Sequence, residues 1–171
     1  MGGLKTTEPG WATRGWLRAS ASREIAATPA QVWEIASDAA RWTDWFTTYD
    51  EFETIDDKTL GIDTRFRIRE WRLTYEGVVN EWEPERRIGM THTTSSFSWM
   101  LTSYADQLEI EPTGEGCTVT FSGRFSLNLL GWLIAPYSLG QTIGLMWAEF
   151  HSAVKGLERV VMATTNPELT Q

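Results

Sequence analysis

The sequence predicts an α+β fold in which a curved antiparallel sheet of seven strands is covered by one long C-terminal helix. Three observations predict it. Between residues 49 and 127, several stretches alternate apolar and polar side chains with period two, the pattern of strands with one buried face. The links between them are short and carry Gly, Pro and Asp, so successive strands run antiparallel. After the last strand, Ile143, Trp147, Phe150, Val154, Leu157 and Val161 recur at spacings of three and four, one apolar stripe along a helix. The apolar face of such a sheet must be covered. Twenty helical residues, roughly 30 Å, are the only element long enough to do so.

In chain order, residues 1–17 read as a loosely ordered leader, with Trp11 and Trp16 docking on the body. The first strand runs from about Leu17 to Ala27. Thr28 suits an N-cap and Pro29 the first helical position, giving a helix to about Ser37. A second short helix follows over Ala39–Phe46, with Trp42, Trp45 and Phe46 on one side. Six strands come next: Tyr49–Ile55, Asp63–Trp71, Thr74–Glu83, Ile88–Thr94, Trp99–Glu111 and Cys117–Leu127. The final helix begins near Leu129, where Pro136 and Gly140 are expected to kink or break its first turns. One domain, residues 18–163, therefore has β-α-α-β6-α order, and 164–171 form a polar tail. A length of 171 residues suits one domain.

Charge narrows the function. The net charge is -8, with +2 in residues 1–28 and -10 in the rest, which disfavours general nucleic-acid binding. Cys117 is the only cysteine, so no intrachain disulfide forms and a cytoplasmic location is expected. It shares strand parity with Val119 and Phe121 and reads as a small buried hydrophobe. No phosphate-binding loop, dinucleotide fingerprint, nucleophile elbow or zinc-protease motif is present. Two distant histidines and one cysteine make no metal site, and no cofactor is expected. Phe125–Ala148 holds no charged residue across 24 positions. Its interruptions by Asn128, Pro136, Gln141 and three glycines suit a buried or cavity-lining helix, not stable membrane insertion.

Certain residues carry a resemblance. Pro29-Ala-Gln-Val-Trp33 followed by Trp42-Thr-Asp-Trp45 resembles the opening of the START/Bet v 1-like superfamily, closest to its polyketide cyclase/dehydrase-like branch. Gly77-Val-Val-Asn-Glu-Trp-Glu-Pro-Glu-Arg-Arg-Ile88 is similar to that branch's central hairpin, and Gly114-Glu-Gly-Cys-Thr-Val-Thr120 to its last hairpin. The resemblance covers about residues 18–162. It implies a helix-grip fold with an internal cavity for an apolar ligand, and in some relatives ring closure and dehydration of polyketides. The superfamily shares no universal catalytic motif, so no catalytic residue is carried over by position.

Candidate site residues follow from strand parity and chemistry. His92 shares a face with Ile88 and Met90, and histidine titrates near neutrality. Tyr104 and Asp106 share parity with Leu108 and Ile110 and point inward if the strand is regular; a bulge would turn Asp106 to solvent. These three are the acid-base candidates, for a buried aspartate needs a partner. Glu70 shares parity with Phe66 and Ile68. Candidate ligand contacts are Glu70, Trp71, Tyr75, Met90, Trp99, Trp132, Tyr137, Trp147 and His151, with Trp33, Trp42 and Trp147 also suiting the core. Aromatic walls suit planar or polycyclic guests. Arg65, Arg67 and Arg69 fall on the opposite, solvated face, which weakens a cyclase using a cationic enolate stabiliser. The expected partner is a hydrophobic small molecule, bound by a monomer or homodimer; a vestigial cavity serving protein interaction is the remaining alternative.

Overall fold

The computed structural model describes residues 3–56 and 58–165. β1 (Arg18–Ile25) leads into helix α1 (Pro29–Ala36), a 3-10 turn (Ala39–Arg41) and the single-turn helix α2 (Trp42–Trp45). Six strands follow: β2 (Glu51–Thr54), β3 (Arg65–Glu70), β4 (Leu73–Glu83), β5 (Arg87–Ser95), β6 (Leu101–Pro112) and β7 (Cys117–Leu127). Helix α3 (Leu129–Thr165) ends the described chain. All seven strands form one antiparallel sheet in the order β1-β7-β6-β5-β4-β3-β2. The expected element order and the helix-grip arrangement are both present.

Local chemistry explains the helices. At α1 the Thr28 hydroxyl accepts from the Gln31 backbone N–H, while the Gln31 side chain accepts from the Thr28 N–H, satisfying two otherwise orphaned donors. Trp42 and Trp45 are fully buried beneath α3 among Phe46, Phe52, Phe66, Phe121 and Phe150. Trp42 stacks on Phe52 with centroids 4.5 Å apart and donates its indole N–H to the Ala36 carbonyl at 2.9 Å. Cys117 is fully buried between β1 and β6, as its parity predicts.

Three expectations differ from the structure. Helix α3 runs without a break through Pro136 and Gly140. Pro136 sits two turns in, on the exposed side, so it removes a single backbone donor without entering the core. The helix also continues to Thr165, taking in the first two residues assigned to the tail; residues 166–171 lie outside the described chain. The leader, expected as loose, is docked on the outer face of the sheet. Leu4 and Lys5 donate backbone N–H groups to the carbonyls of Thr93 and Thr102, each at 2.8 Å. They stitch together β5 and β6 where direct pairing stops at Thr91 and Ala105. Thr7 N–H donates to the Thr91 hydroxyl, Gly10 N–H to Glu81, and the Arg124 guanidinium lies 4.0 Å over the Trp11 ring. Trp16 docks through Trp132 on α3 and stays largely exposed.

The outer face is charged, as predicted. Arg67 pairs with Glu53 and Glu76 at 2.9 and 2.7 Å, Arg69 pairs with Glu51, and Arg65 is exposed. Such exposed pairs contribute little individually. Their role here is orientation: with the arginines outside, Phe66 and Ile68 face the core.

Candidate functional site

The inner face of the sheet and the first half of α3 enclose a pocket of about 510 Å³. It lies where β5 and β6 separate, with Phe125 and Leu127 of β7 and residues of the 97–101 segment among its lining. Its helical wall is Gly131, Ile134, Ala135, Ser138, Leu139, Thr142, Leu145, Met146 and Glu149, one stripe of spacings near three and four. Its sheet wall includes Tyr75, His92 and Tyr104. A depression beside Thr74, Glu76 and Ser96 involves β4, β5 and the following turn, with no wall from α3.

His92 and Asp106 form a buried pair. Both side chains are 1% exposed, and Nε2 of the imidazole lies 2.8 Å from Oδ2 of the carboxylate. β5 and β6 place them side by side through the register Met90 to Asp106 and Thr91 to Ala105. β6 stays in regular register with β7 around Asp106, so the aspartate is not turned to solvent. Across that strand its partner is Gly123, where a Cβ would lie 2.6 Å from Asp106 Oδ1 and 2.5 Å from the Phe150 ring. Glycine there makes the niche. Tyr104 stacks on His92 with centroids 4.3 Å apart and rings 15° from parallel, while Phe66 and Tyr75 meet the imidazole edge-on. Nδ1, on the other side of the ring, has no protein partner.

Two further carboxyls face the pocket. Glu149 on α3 accepts from the Thr48 hydroxyl at 3.0 Å. Burial, with repulsion from Glu70 and Asp106 against the Thr48 bond, pushes its carboxyl up to about 8. Glu70 is raised by burial and by repulsion from Asp106 and Asp50. Burial also raises Tyr49, Tyr75 and Tyr104, so their phenols stay protonated at neutral pH and serve as hydrogen-bond donors or acceptors, never as bases. Among the described residues no cluster of metal-ligating side chains occurs.

The structure brings together His92, Tyr104, Asp106, Glu70, Tyr75 and Trp99, with Asp106 behind the wall rather than on it. It does not bring the remaining candidates to the pocket. Met90 faces inward but belongs to the main core, because parity gives the face of a strand and not the position along it. Trp71, 86% exposed, occupies the β3–β4 turn with φ 54°, outside the strand. Trp132, Tyr137, Trp147 and His151 sit on the side of α3 away from the pocket, Trp147 stacked on His151 rather than in the core. Selecting helical residues by aromatic bulk missed the phase that Phe150, Leu157 and Val161 establish.

Tyr49 and Glu149 were not singled out in the sequence. Glu149 is the first charge after the 24 uncharged positions. It is also three residues beyond Met146 on the pocket-facing stripe, so helical phase carried the signal.

A curved sheet gripping a terminal helix, with a chamber between them lined from both sides, defines the helix-grip fold, a fold of ligand-binding type. The chain belongs to the polyketide cyclase/dehydrase and lipid transport family, whose model matches residues 17–162. No curated protein matches it. Among solved structures, a protein from Thermus thermophilus is 23% identical, with a TM-score of 0.68 over 86% of this chain and 99% of that one. A START superfamily protein from Mycobacterium smegmatis is 14% identical, with a TM-score of 0.68 over 86% and 98%. Norcoclaurine synthase from Thalictrum is 13% identical, with a TM-score of 0.63 over 86% and 95%. These likenesses establish the shared fold.

Proposed function

We propose that the protein binds a hydrophobic, aromatic or polycyclic small molecule between the sheet and α3. The observation that carries this reading is the wall itself: aliphatic side chains from α3 face the rings of Tyr75, Phe97, Trp99 and Tyr104 across about 510 Å³. That volume is within the range of small-molecule sites. Apolar burial, at roughly 25 cal/mol per Å², supplies affinity, and ring stacking supplies geometry.

The test uses N-phenyl-1-naphthylamine, a neutral dye whose emission rises in apolar surroundings. Saturable uptake of one dye per chain is expected. Ser138→Trp, which places an indole in the pocket from a half-buried helical position, should abolish uptake while leaving the thermal midpoint nearly unchanged. Equal uptake by the variant would refute the reading.

A second reading, a polyketide cyclase or dehydratase on the same pocket, is favoured by the His92–Asp106 pair at 2.8 Å. In that reading Asp106 orients the imidazole, His92 Nδ1 takes a proton from an acidic C–H or O–H of the ligand, and Tyr104 braces the ring. Turnover of an identified substrate that survived His92→Gln would exclude it.

A further inference from the structure

Phenols, an indole and two carboxyls dominate the pocket's polar lining. Glu70 and Glu149 line it, no lysine or arginine does, and its one basic side chain, His92, is tied to Asp106. The Ser138 and Thr142 hydroxyls are committed as donors to the α3 carbonyls of Ile134 and Ser138. The buried imidazole of His92, 1% exposed, forms part of the wall, and its Nδ1 has no partner. Six aromatic residues, Tyr49, Tyr75, Phe97, Trp99, Tyr104 and Phe125, complete the surroundings. Carboxylates accept hydrogen bonds, and aromatic faces attract cations.

Resting on the ligand-binding reading above, we infer that the ligand is a hydrophobic amine, held as its ammonium ion by Glu70 and Glu149 among these rings. A carboxylate or enolate ligand would meet two acidic groups and no counter-charge. An ammonium ion relieves the repulsion between them. Its arrival also ionises Glu149, whose proton is held by burial and by Glu70 and Asp106. The groups facing Glu149 are Thr48 and Tyr49 ahead of β2, Glu70 on β3, Tyr75 on β4 and Tyr104 and Asp106 on β6. None is basic. Binding at neutral pH therefore releases a proton to solvent, and affinity rises with pH until the amine itself loses its charge.

The experiment compares three probes of one shape by calorimetry: 2-(2-naphthyl)ethylamine, 2-ethylnaphthalene and 2-naphthylacetate. The amine should bind at least about tenfold tighter than the hydrocarbon, and the acid weaker than both. Titration at pH 7 in buffers of different ionisation enthalpy should show proton release on amine binding only. Glu149→Gln should remove the proton release and most of the preference, read as the ratio of amine to hydrocarbon affinity within the variant. An amine that binds no tighter than the hydrocarbon, or a favoured acid, overturns the inference and leaves the pocket reading intact. Failure of all three probes to bind removes both.

Discussion

Gly156 offers a test of how α3 is seated. A Cβ at this position would lie 2.1 Å from the Trp45 carbonyl oxygen and 3.0 Å from its carbon, where ordinary contact begins near 3.4 Å. The obstruction is backbone, and Trp45 is itself fully buried, so no flexible side chain can yield. Gly156→Ala must move α3 or α2 by more than an ångström. Overpacking of this kind costs about 3 kcal/mol at the upper end of its usual range, and the better helix propensity of alanine returns about 1. The net loss is about 2 kcal/mol, which lowers the melting temperature of a domain this size by about 4–8 °C. Gly144 on the same helix is the control, since a Cβ there meets nothing within 4 Å. Gly144→Ala should gain up to about 1 kcal/mol. Scanning calorimetry with urea titration of both variants measures the contrast. A Gly156→Ala protein as stable as the parent, or two variants shifting in the same direction, would refute the reasoning.

Two other outcomes follow from the buried polar groups. Asp106→Ala leaves His92 Nε2 without a partner in a site 1% exposed, and should cost about 1–3 kcal/mol in urea unfolding. Asp106→Asn, which keeps an acceptor, should cost less. A loss within about 0.5 kcal/mol for the alanine variant would show the pair to be dispensable. Glu149 in the folded chain binds a proton up to about pH 8, against 4.5 for an ordinary glutamate. The folded state therefore holds more protons than the unfolded state between those values, so stability is greatest at the acid end and falls as pH rises through the interval. Glu70 contributes in the same direction. Glu149→Gln should flatten the slope of unfolding free energy between pH 5 and 8, and an unchanged slope would count against the burial of this carboxyl.

Much of this architecture was legible because local and long-range signals agree. The Thr28-Pro29 start, the alternation through Cys117–Leu127 and the helical stripe after Phe150 each identify an element without knowledge of its neighbours. Parity along β5 and β6 also placed His92 and Asp106 on one face, and the register did the rest. The pocket's helical wall was harder. None of the residues from Pro136 to Glu149 is fully buried, so hydrophobicity alone does not distinguish the chamber side of the helix from the solvent side. Trp71 illustrates another limit: alternation carries one residue past the strand's end, and only the two-residue turn reverses it. The docked leader was invisible because its hold is backbone hydrogen bonding to Thr93 and Thr102, which leaves no periodic trace.

Helix α3 is buried at Gly131 and Ala135, and again from Phe150 onward, but nowhere between. It is a bridge with two abutments and a lightly supported deck, about 21 Å long at the usual rise per residue, resting only on the partly buried Leu139, Ile143 and Met146. Helices ordinarily loosen from their ends. This one is held at its ends and has its weakest footing at mid-river, directly above the chamber, where Pro136, Gly140 and Gly144 all fall. Loosening of the deck would leave both piers, and the core beneath the farther one, in place.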